Sequence, residues 1–126
     1  MPWYYFAAYF VAGCLVANGV PHFVNGISGR RFTTPFASPP FEGESSPLVN
    51  VIWGLANFAG AFLLVIGIGD FRLGFTPETL ALFAGAALVA LGLALYFPRT
   101  LKKRSSFLHY SPAHRVAKKV NHKALS

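Results

Sequence analysis

Long apolar stretches separated by short polar ones dominate the pattern along this chain. They cover residues 3–20, 48–69 and 79–97, and none of them contains a charged residue. A helix needs about 20 apolar residues, at about 1.5 Å each, to cross the hydrocarbon core of a bilayer. Because a spanning helix satisfies its backbone polar groups internally, the pattern predicts an all-α integral membrane protein with three transmembrane helices.

Proline and small polar residues mark the ends of these stretches. Ser45-Ser46-Pro47 and Thr76-Pro77-Glu78 are typical helix starts, in which a capping hydroxyl precedes a proline in the first turn. Pro21 follows the first predicted helix, although a proline can also kink a membrane helix that continues, and Pro98 and Arg99 predict the end of the third. Residues 21–46 then form a loop, which we expect to lie at the membrane interface.

The basic residues predict the orientation. The chain has a net charge of +7, but residues 99–126 alone carry +8, which leaves −1 for residues 1–98. Lys and Arg are enriched on the cytoplasmic side of membrane proteins. The sequence therefore predicts a three-helix bundle over residues 1–98 with its amino terminus outside, and a basic cytoplasmic tail over residues 99–126 with a short helix that starts at Ser111.

Composition narrows the class of protein. Apolar residues make up 54% of the chain and charged residues only 12%, about half the usual fraction, which argues against a soluble enzyme or a disordered chain. The single cysteine, Cys14, lies within the first stretch and is expected to be a packing residue. The only acids are Glu42, Glu44, Asp70 and Glu78, all outside the three stretches, so we expect no enzyme activity.

Small and amide residues predict where the helices pack. Asn50, Gly54 and Asn57 share one face of the second helix, because they are four and three residues apart. Asn57 near the bilayer centre needs a hydrogen-bond partner. We expect this partner to be a neighbouring helix; the alternative is a bound ligand. A second packing face on the third helix comprises Ala86, Ala90 and Ala94. The short connection at residues 70–76 predicts that the second and third helices pack as a hairpin.

One histidine and several basic residues are the candidates for chemistry. His22 is expected just past the end of the first helix, bonded to loop backbone; alternatively, its imidazole ligates a haem or a chlorophyll magnesium, or shuttles protons. We expect no other cofactor and no metal. Contacts to anionic lipid or to a partner are expected for the basic residues of the loop and tail, and not contacts to nucleic acid. These residues are Arg30, Arg31, Lys102, Lys103, Arg104, Arg115, Lys118 and Lys119.

The loop also carries a resemblance. The run Gly19-Val20-Pro21-His22-Phe23, followed by Gly26, Gly29, Phe32 and Pro35-Phe36-Ala37 and then by a membrane hairpin, is similar to small uncharacterised bacterial multi-pass membrane proteins. The resemblance covers residues 1–98. It implies a helical bundle in the bacterial inner membrane, and it implies no activity and no functional residue.

These observations favour a non-catalytic accessory or assembly subunit of a larger bacterial inner-membrane complex, for example a photosynthetic or respiratory one. Such a subunit would bind neighbouring transmembrane helices and anionic phospholipid. The alternative is a small oligomeric channel or transporter component in which the face of Asn50 and Asn57 lines the pore.

Overall fold

Three α-helices make up the fold, in agreement with the predicted class. The computed structural model describes the backbone of residues 1–110, together with the side chains of residues 1–100 and of Lys102. The helices are α1 (Trp3–Ile27), α2 (Pro47–Gly67) and α3 (Pro77–Tyr110). All three are long and apolar enough to cross a membrane, α3 over Pro77–Thr100. The chain divides into two compact units, residues 1–92 and 93–126.

Helix α1 does not end before Pro21 and is therefore longer than the predicted span of residues 3–20. The helix continues through Pro21 to Ile27, so residues 21–27 belong to α1 and the loop comprises residues 28–46. Proline removes one backbone N–H, whereas ending the helix in an apolar environment would leave several polar groups without partners. The Asn25 side chain also donates from Nδ2 to the carbonyl oxygen of Pro21, at 2.7 Å.

The predicted end of α3 at Pro98 is wrong in the same way. The helix runs through Pro98 to Tyr110, so the first basic residues of the predicted tail lie on α3. The Thr100 hydroxyl donates to the Tyr96 carbonyl oxygen, at 3.2 Å, in the turn that contains this proline. The short helix predicted from Ser111 falls outside the residues that the structure describes.

The helix starts are as predicted. Ser46 caps α2, since its Oγ accepts a hydrogen bond from the Val49 N–H at 3.3 Å, and Pro47 is the first helical residue. Thr76 caps α3 in the same way, through the Thr79 N–H at 3.3 Å. At the other end of α2, the helix stops at Gly67, two residues before the predicted end.

Helix α1 packs against both other helices. It contacts α2 along most of its length and crosses α3 where Gly13 faces Gly85. A Cβ on Gly13 would collide with the Leu82 carbonyl oxygen, and a Cβ on Gly85 would collide with the Phe10 carbonyl oxygen. Only glycine allows two backbones to approach this closely. The close approach described for α3 is thus to α1, and the hairpin of α2 with α3 stays a prediction.

Candidate functional site

A buried amide, Asn50, connects α1, α2 and the loop. Asn50 is fully buried, and its Nδ2 lies 3.0 to 3.2 Å from three backbone carbonyl oxygens, those of Phe32, Ser45 and Ser46. Its Oδ1 lies 3.0 Å from Nδ1 of His22 on α1. Because carbonyl oxygens only accept, they determine which end of the amide faces the loop, and the oxygen must then face His22.

The amide in turn determines the proton position on His22. Oδ1 of Asn50 can only accept, so Nδ1 of His22 carries the hydrogen and, in the neutral ring, Nε2 carries the lone pair. His22 is 6% exposed, and its ring meets the Phe32 ring edge-on at 5.4 Å. Among the described residues, Nε2 has no hydrogen-bond partner.

The predicted position of His22 was therefore wrong in two respects. The histidine lies inside α1 because the helix continues past Pro21, and it is bonded to a side chain rather than to loop backbone. An imidazole held through Nδ1 with Nε2 open is the arrangement of a metal-ligating histidine. Within the described part of the chain, no group of three or more His, Cys, Asp or Glu side chains could hold a metal ion. A haem or chlorophyll contact through His22 stays a prediction.

A second amide pair lies further along α1 and α2. Nδ2 of Asn18 donates to Oδ1 of Asn57 at 3.1 Å, and Nδ2 of Asn57 donates to the Trp53 carbonyl oxygen at 2.7 Å. Asn57 is 4% exposed. The expected bond from Asn57 to a neighbouring helix is confirmed, and its partner is Asn18 on α1. Gly54 lies between the two amides, where a Cβ would stand 2.9 Å from the Phe23 side chain.

The predicted face on α3 is divided. Ala86 is half-buried beside Gly13, at the crossing with α1. Ala90 and Ala94 are exposed. The spacing of the alanines identified one face of α3. Among the described residues, only the part of this face at Ala86 packs against another helix of this chain.

Two hydroxyl residues hold the loop together, of which the sequence did not single out Thr34 and assigned Ser45 only to the start of the second helix. The side-chain oxygens of Thr34 and Ser45 are hydrogen-bonded to each other, and both residues are buried. Thr34 Oγ1 also accepts from the Phe36 N–H at 3.2 Å, while the Thr34 carbonyl oxygen accepts from the Ala37 and Phe41 N–H groups at 3.1 Å. The sequence signal for this bond was a hydroxyl residue on each side of a proline-rich segment. Many solvent-exposed loops contain the same residues, so this signal does not distinguish a loop with such a bond from other loops.

A cleft of about 470 Å³ lies at the opposite end of α1. It contains charged side chains of both signs, Asp70, Arg72 and Glu78, and Oε2 of Glu78 is buried without a hydrogen-bond partner among the described residues. The remaining lining residues are Met1, Tyr5, Gly69, Thr76 and Pro77. Next to it, the Tyr9 hydroxyl donates to the Ile68 carbonyl oxygen at 2.5 Å and ties α1 to the end of α2.

Comparison with known proteins does not assign a family. No protein-family model, curated protein or solved structure matches this chain. The three long apolar helices are the pattern of a small multi-pass membrane protein. The finer resemblance to bacterial inner-membrane proteins rests only on the sequence pattern of residues 19–37 and the predicted membrane hairpin.

The predicted lipid or partner contacts are spread along the chain. Arg30 and Arg31 are exposed; Nε of Arg30 donates to Oδ1 of Asn25 at 3.0 Å, and Nη2 of Arg31 donates to the Glu44 carbonyl oxygen at 3.4 Å. Lys102 is exposed on α3. Lys103 and Arg104 are also on α3, and the remaining three, Arg115, Lys118 and Lys119, fall outside the described residues.

Proposed function

We propose that this chain is a non-catalytic accessory or assembly subunit of a larger complex in the bacterial cytoplasmic membrane, such as a photosynthetic or respiratory complex. The observation that carries the proposal is the low burial of α3. In an apolar 18-residue window of each helix, only 6% of the residues of α3 are buried within the chain, against 28% for α1 and 22% for α2. Helix α3 therefore has most of its surface available to another subunit.

The exposed surface of α3 has the character of a helix-packing surface. Ala90 and Ala94 are exposed there, four residues apart, among leucines such as Leu91 that are 67% exposed. In lipid, helices associate through close packing at small residues, since the hydrophobic effect does not drive them together. A neighbouring helix could approach closely over these alanines. It would gain more van der Waals contact there than flexible lipid tails provide.

The basic residues support a cytoplasmic carboxyl-terminal side. With three spans, the loop that carries Arg30 and Arg31 and the basic residues from Arg99 onward would face the same side, which the positive-inside rule assigns to the cytoplasm. Each such residue near an anionic leaflet contributes about 1 kcal/mol to lipid binding. This is the basis for proposing anionic phospholipid as the second partner.

The channel alternative has less support. Its pore would be lined by Asn50 and Asn57, but these side chains are 0% and 4% exposed and are bonded to His22 and Asn18 within the same chain. Opening that face to a pore would require α1 to leave α2, with the loss of both hydrogen bonds. Ion or solute flux through proteoliposomes that contain only the purified chain would nevertheless favour the channel.

Photo-crosslinking from α3 tests the proposal directly. A photoreactive residue replaces Ala90 on α3 or, as the control, Leu63 on α2, which is 64% exposed. Both chains are expressed in the native host, irradiated, and purified in mild detergent. We expect a stoichiometric protein adduct from position 90 and only lipid adducts from position 63. Lipid adducts at both positions, with no co-purifying subunit, would contradict the proposal.

The orientation has its own test. The test uses a reporter enzyme that is active only outside the cytoplasm. It is fused after Gly74, in the connection between α2 and α3, and its activity reports the side on which this connection lies. With the amino terminus outside, three spans place the end of α1 inside and the connection after α2 outside, so the fusion should be active. An inactive fusion after Gly74, together with an active one after Gly29, would reverse the proposed topology.

The visible absorption spectrum of the purified complex tests the pigment contact. A tetrapyrrole held by Nε2 of His22 predicts a visible band that the His22→Ala change removes. Asn25→Ala, three residues along α1, should retain the band, because Asn25 is bonded to Pro21 and Arg30 rather than to His22. A colourless wild-type complex would contradict a pigment on His22.

A further inference from the structure

The loop at residues 28–46 has a defined conformation that internal hydrogen bonds stabilise. An isolated β-bridge joins Phe32 to Ser45 at its base, and hydrogen bonds to Thr34 organise its tip. Phe41 has a φ of 61°, a left-handed conformation that is a genuine outlier for a bulky residue. Its N–H donates to the Thr34 carbonyl oxygen at 3.1 Å, which holds it there. Such conformations persist where the surroundings determine them, and they concentrate at functional surfaces.

The tip of this loop folds back along α2. The Phe36 ring meets the Trp53 ring edge-on, with the centroids 5.1 Å apart. Trp53 is six residues after Pro47, the first residue of α2, so its backbone lies about 9 Å along the helix axis at about 1.5 Å per residue. Helix α1 ends near Pro47 as well, because a Cβ on Gly26 would stand 2.7 Å from the Pro47 carbonyl oxygen. Since helical side chains lean toward the amino terminus of their helix, the ring contact places Phe36 beside the first turns of α2.

At that depth Phe36 is not enclosed by the chain. Its side chain is 67% exposed, and Phe41 next to Thr34 is 56% exposed. On α2, Leu48 and Ile52 at comparable depth are 67% and 59% exposed, as expected for residues that face lipid. The outer face of Phe36 thus lies at the level where the apolar stretch of α2 has already begun.

Charged residues set the limits of this surface. At the base, Arg30 and Arg31 are exposed, and Arg31 is bonded to the Glu44 carbonyl oxygen beside the bridge. Glu42 is exposed next to Phe41. Basic side chains at the base match phosphate groups, whereas a carboxylate near the tip restricts insertion to the boundary between head groups and acyl chains.

We propose that residues 33–41 form an interfacial re-entrant segment that inserts Phe36 and Phe41 into the phospholipid bilayer. The occupant of this surface is lipid: acyl chains meet the two phenylalanines, and phosphate groups meet the arginines at the base. Backbone groups at this depth need partners, and Thr34 supplies one for each of the N–H groups of Phe36, Ala37 and Phe41. The insertion is a property of the chain itself and does not depend on the proposed membership of a complex.

Site-directed fluorescence tests the insertion. In a Cys14→Ala background, single cysteines replace Phe36, Phe41, Arg30 or Leu55, and each carries an environment-sensitive fluorophore. The labelled chains are reconstituted alone into vesicles of phosphatidylcholine and phosphatidylglycerol. Leu55 on α2, 49% exposed, is the reference within the hydrocarbon core, and Arg30 is the reference at the level of the phosphate groups. Circular dichroism verifies that every variant retains its helix content.

We expect the label at position 36 to emit at a shorter wavelength than the label at position 30. It should be quenched by phosphatidylcholine brominated near the head group, and it should resist iodide in the aqueous phase. Position 41 carries the same expectation and replaces position 36 if that variant loses helix. Emission and iodide quenching at both loop positions equal to those at position 30 would overturn the proposal.

Discussion

Replacing Asn50 with alanine is the most informative perturbation of this fold, because one amide serves α1, α2 and the loop. The three loop carbonyl oxygens keep other partners. Ser45 N–H donates to Phe32 at 2.9 Å, Phe32 N–H to Ser45 at 3.4 Å, and Asn50 N–H to Ser46 at 3.1 Å. They lose only the net value of an additional bond, on average about 0.6 kcal/mol each in membrane proteins. Because the three oxygens share the two hydrogens of one amide group, these terms together come to about 1 kcal/mol.

His22 loses more. Asn50 is the only hydrogen-bond partner of its ring among the described residues, so alanine leaves a buried Nδ1–H unsatisfied at a cost of about 1–3 kcal/mol. The total expected loss in the free energy of unfolding is therefore about 2–4 kcal/mol. Asn57→Ala is a matched control, since it removes the same atoms from another buried position of α2. It breaks the bond to Asn18 and the bond to the Trp53 carbonyl oxygen, for an expected loss of about 1 kcal/mol.

Equilibrium unfolding of both variants in mixed micelles, with increasing SDS and helix content as the signal, measures the difference. A His22→Phe change in each background completes a double-mutant cycle, which should assign a coupling energy to His22 with Asn50 and none to His22 with Asn57. Equal losses from the two asparagine changes, or no coupling between His22 and Asn50, would refute the reasoning.

Two further pairs of substitutions test packing and the loop by the same unfolding assay. Gly13→Ala and Gly85→Ala should each destabilise by about 1–3 kcal/mol, because a Cβ there collides with backbone of the facing helix. Gly92→Ala is the control: a Cβ there has nothing within 4 Å, so its stability should be unchanged or slightly raised. Thr34→Val should destabilise by about 1–3 kcal/mol through its lost hydrogen bonds, whereas Thr33→Val should be neutral or stabilising, since Oγ1 of Thr33 is buried without a partner among the described residues. Equal effects within either pair would contradict these assignments.

The helices and one packing face could be predicted from the sequence because their causes are local. Apolar length determines whether a segment can cross a bilayer, and the spacing of Asn50, Gly54 and Asn57 places them on one face whatever the partner is. Which helix receives that face depends on tertiary structure. The partner residues, His22 and Asn18, lie on α1, and the spacing within α2 carries no information about them.

The ends of α1 and α3 could not be predicted in this way. Pro21 and Pro98 would end a helix in water, where the freed backbone groups become hydrated. Next to an apolar environment the same groups have no water, and continuing the helix costs less. The extension of α1 to Ile27 places His22 opposite Asn50, so an error of a few residues at one helix end concealed the main polar cluster of the fold.

The position of α1 between its two neighbours also bears on how the chain is made. Synthesis starts at the amino terminus, so α1 enters the membrane before the helices that pack on it. Helix α2 then meets Asn18 and His22 already in place, and α3 meets Gly13 last. Each newly inserted helix thus finds the helix that it packs against already in the bilayer. Because Asn18 and His22 are present when α2 enters, the two asparagines of α2 can form their hydrogen bonds to α1 soon after insertion.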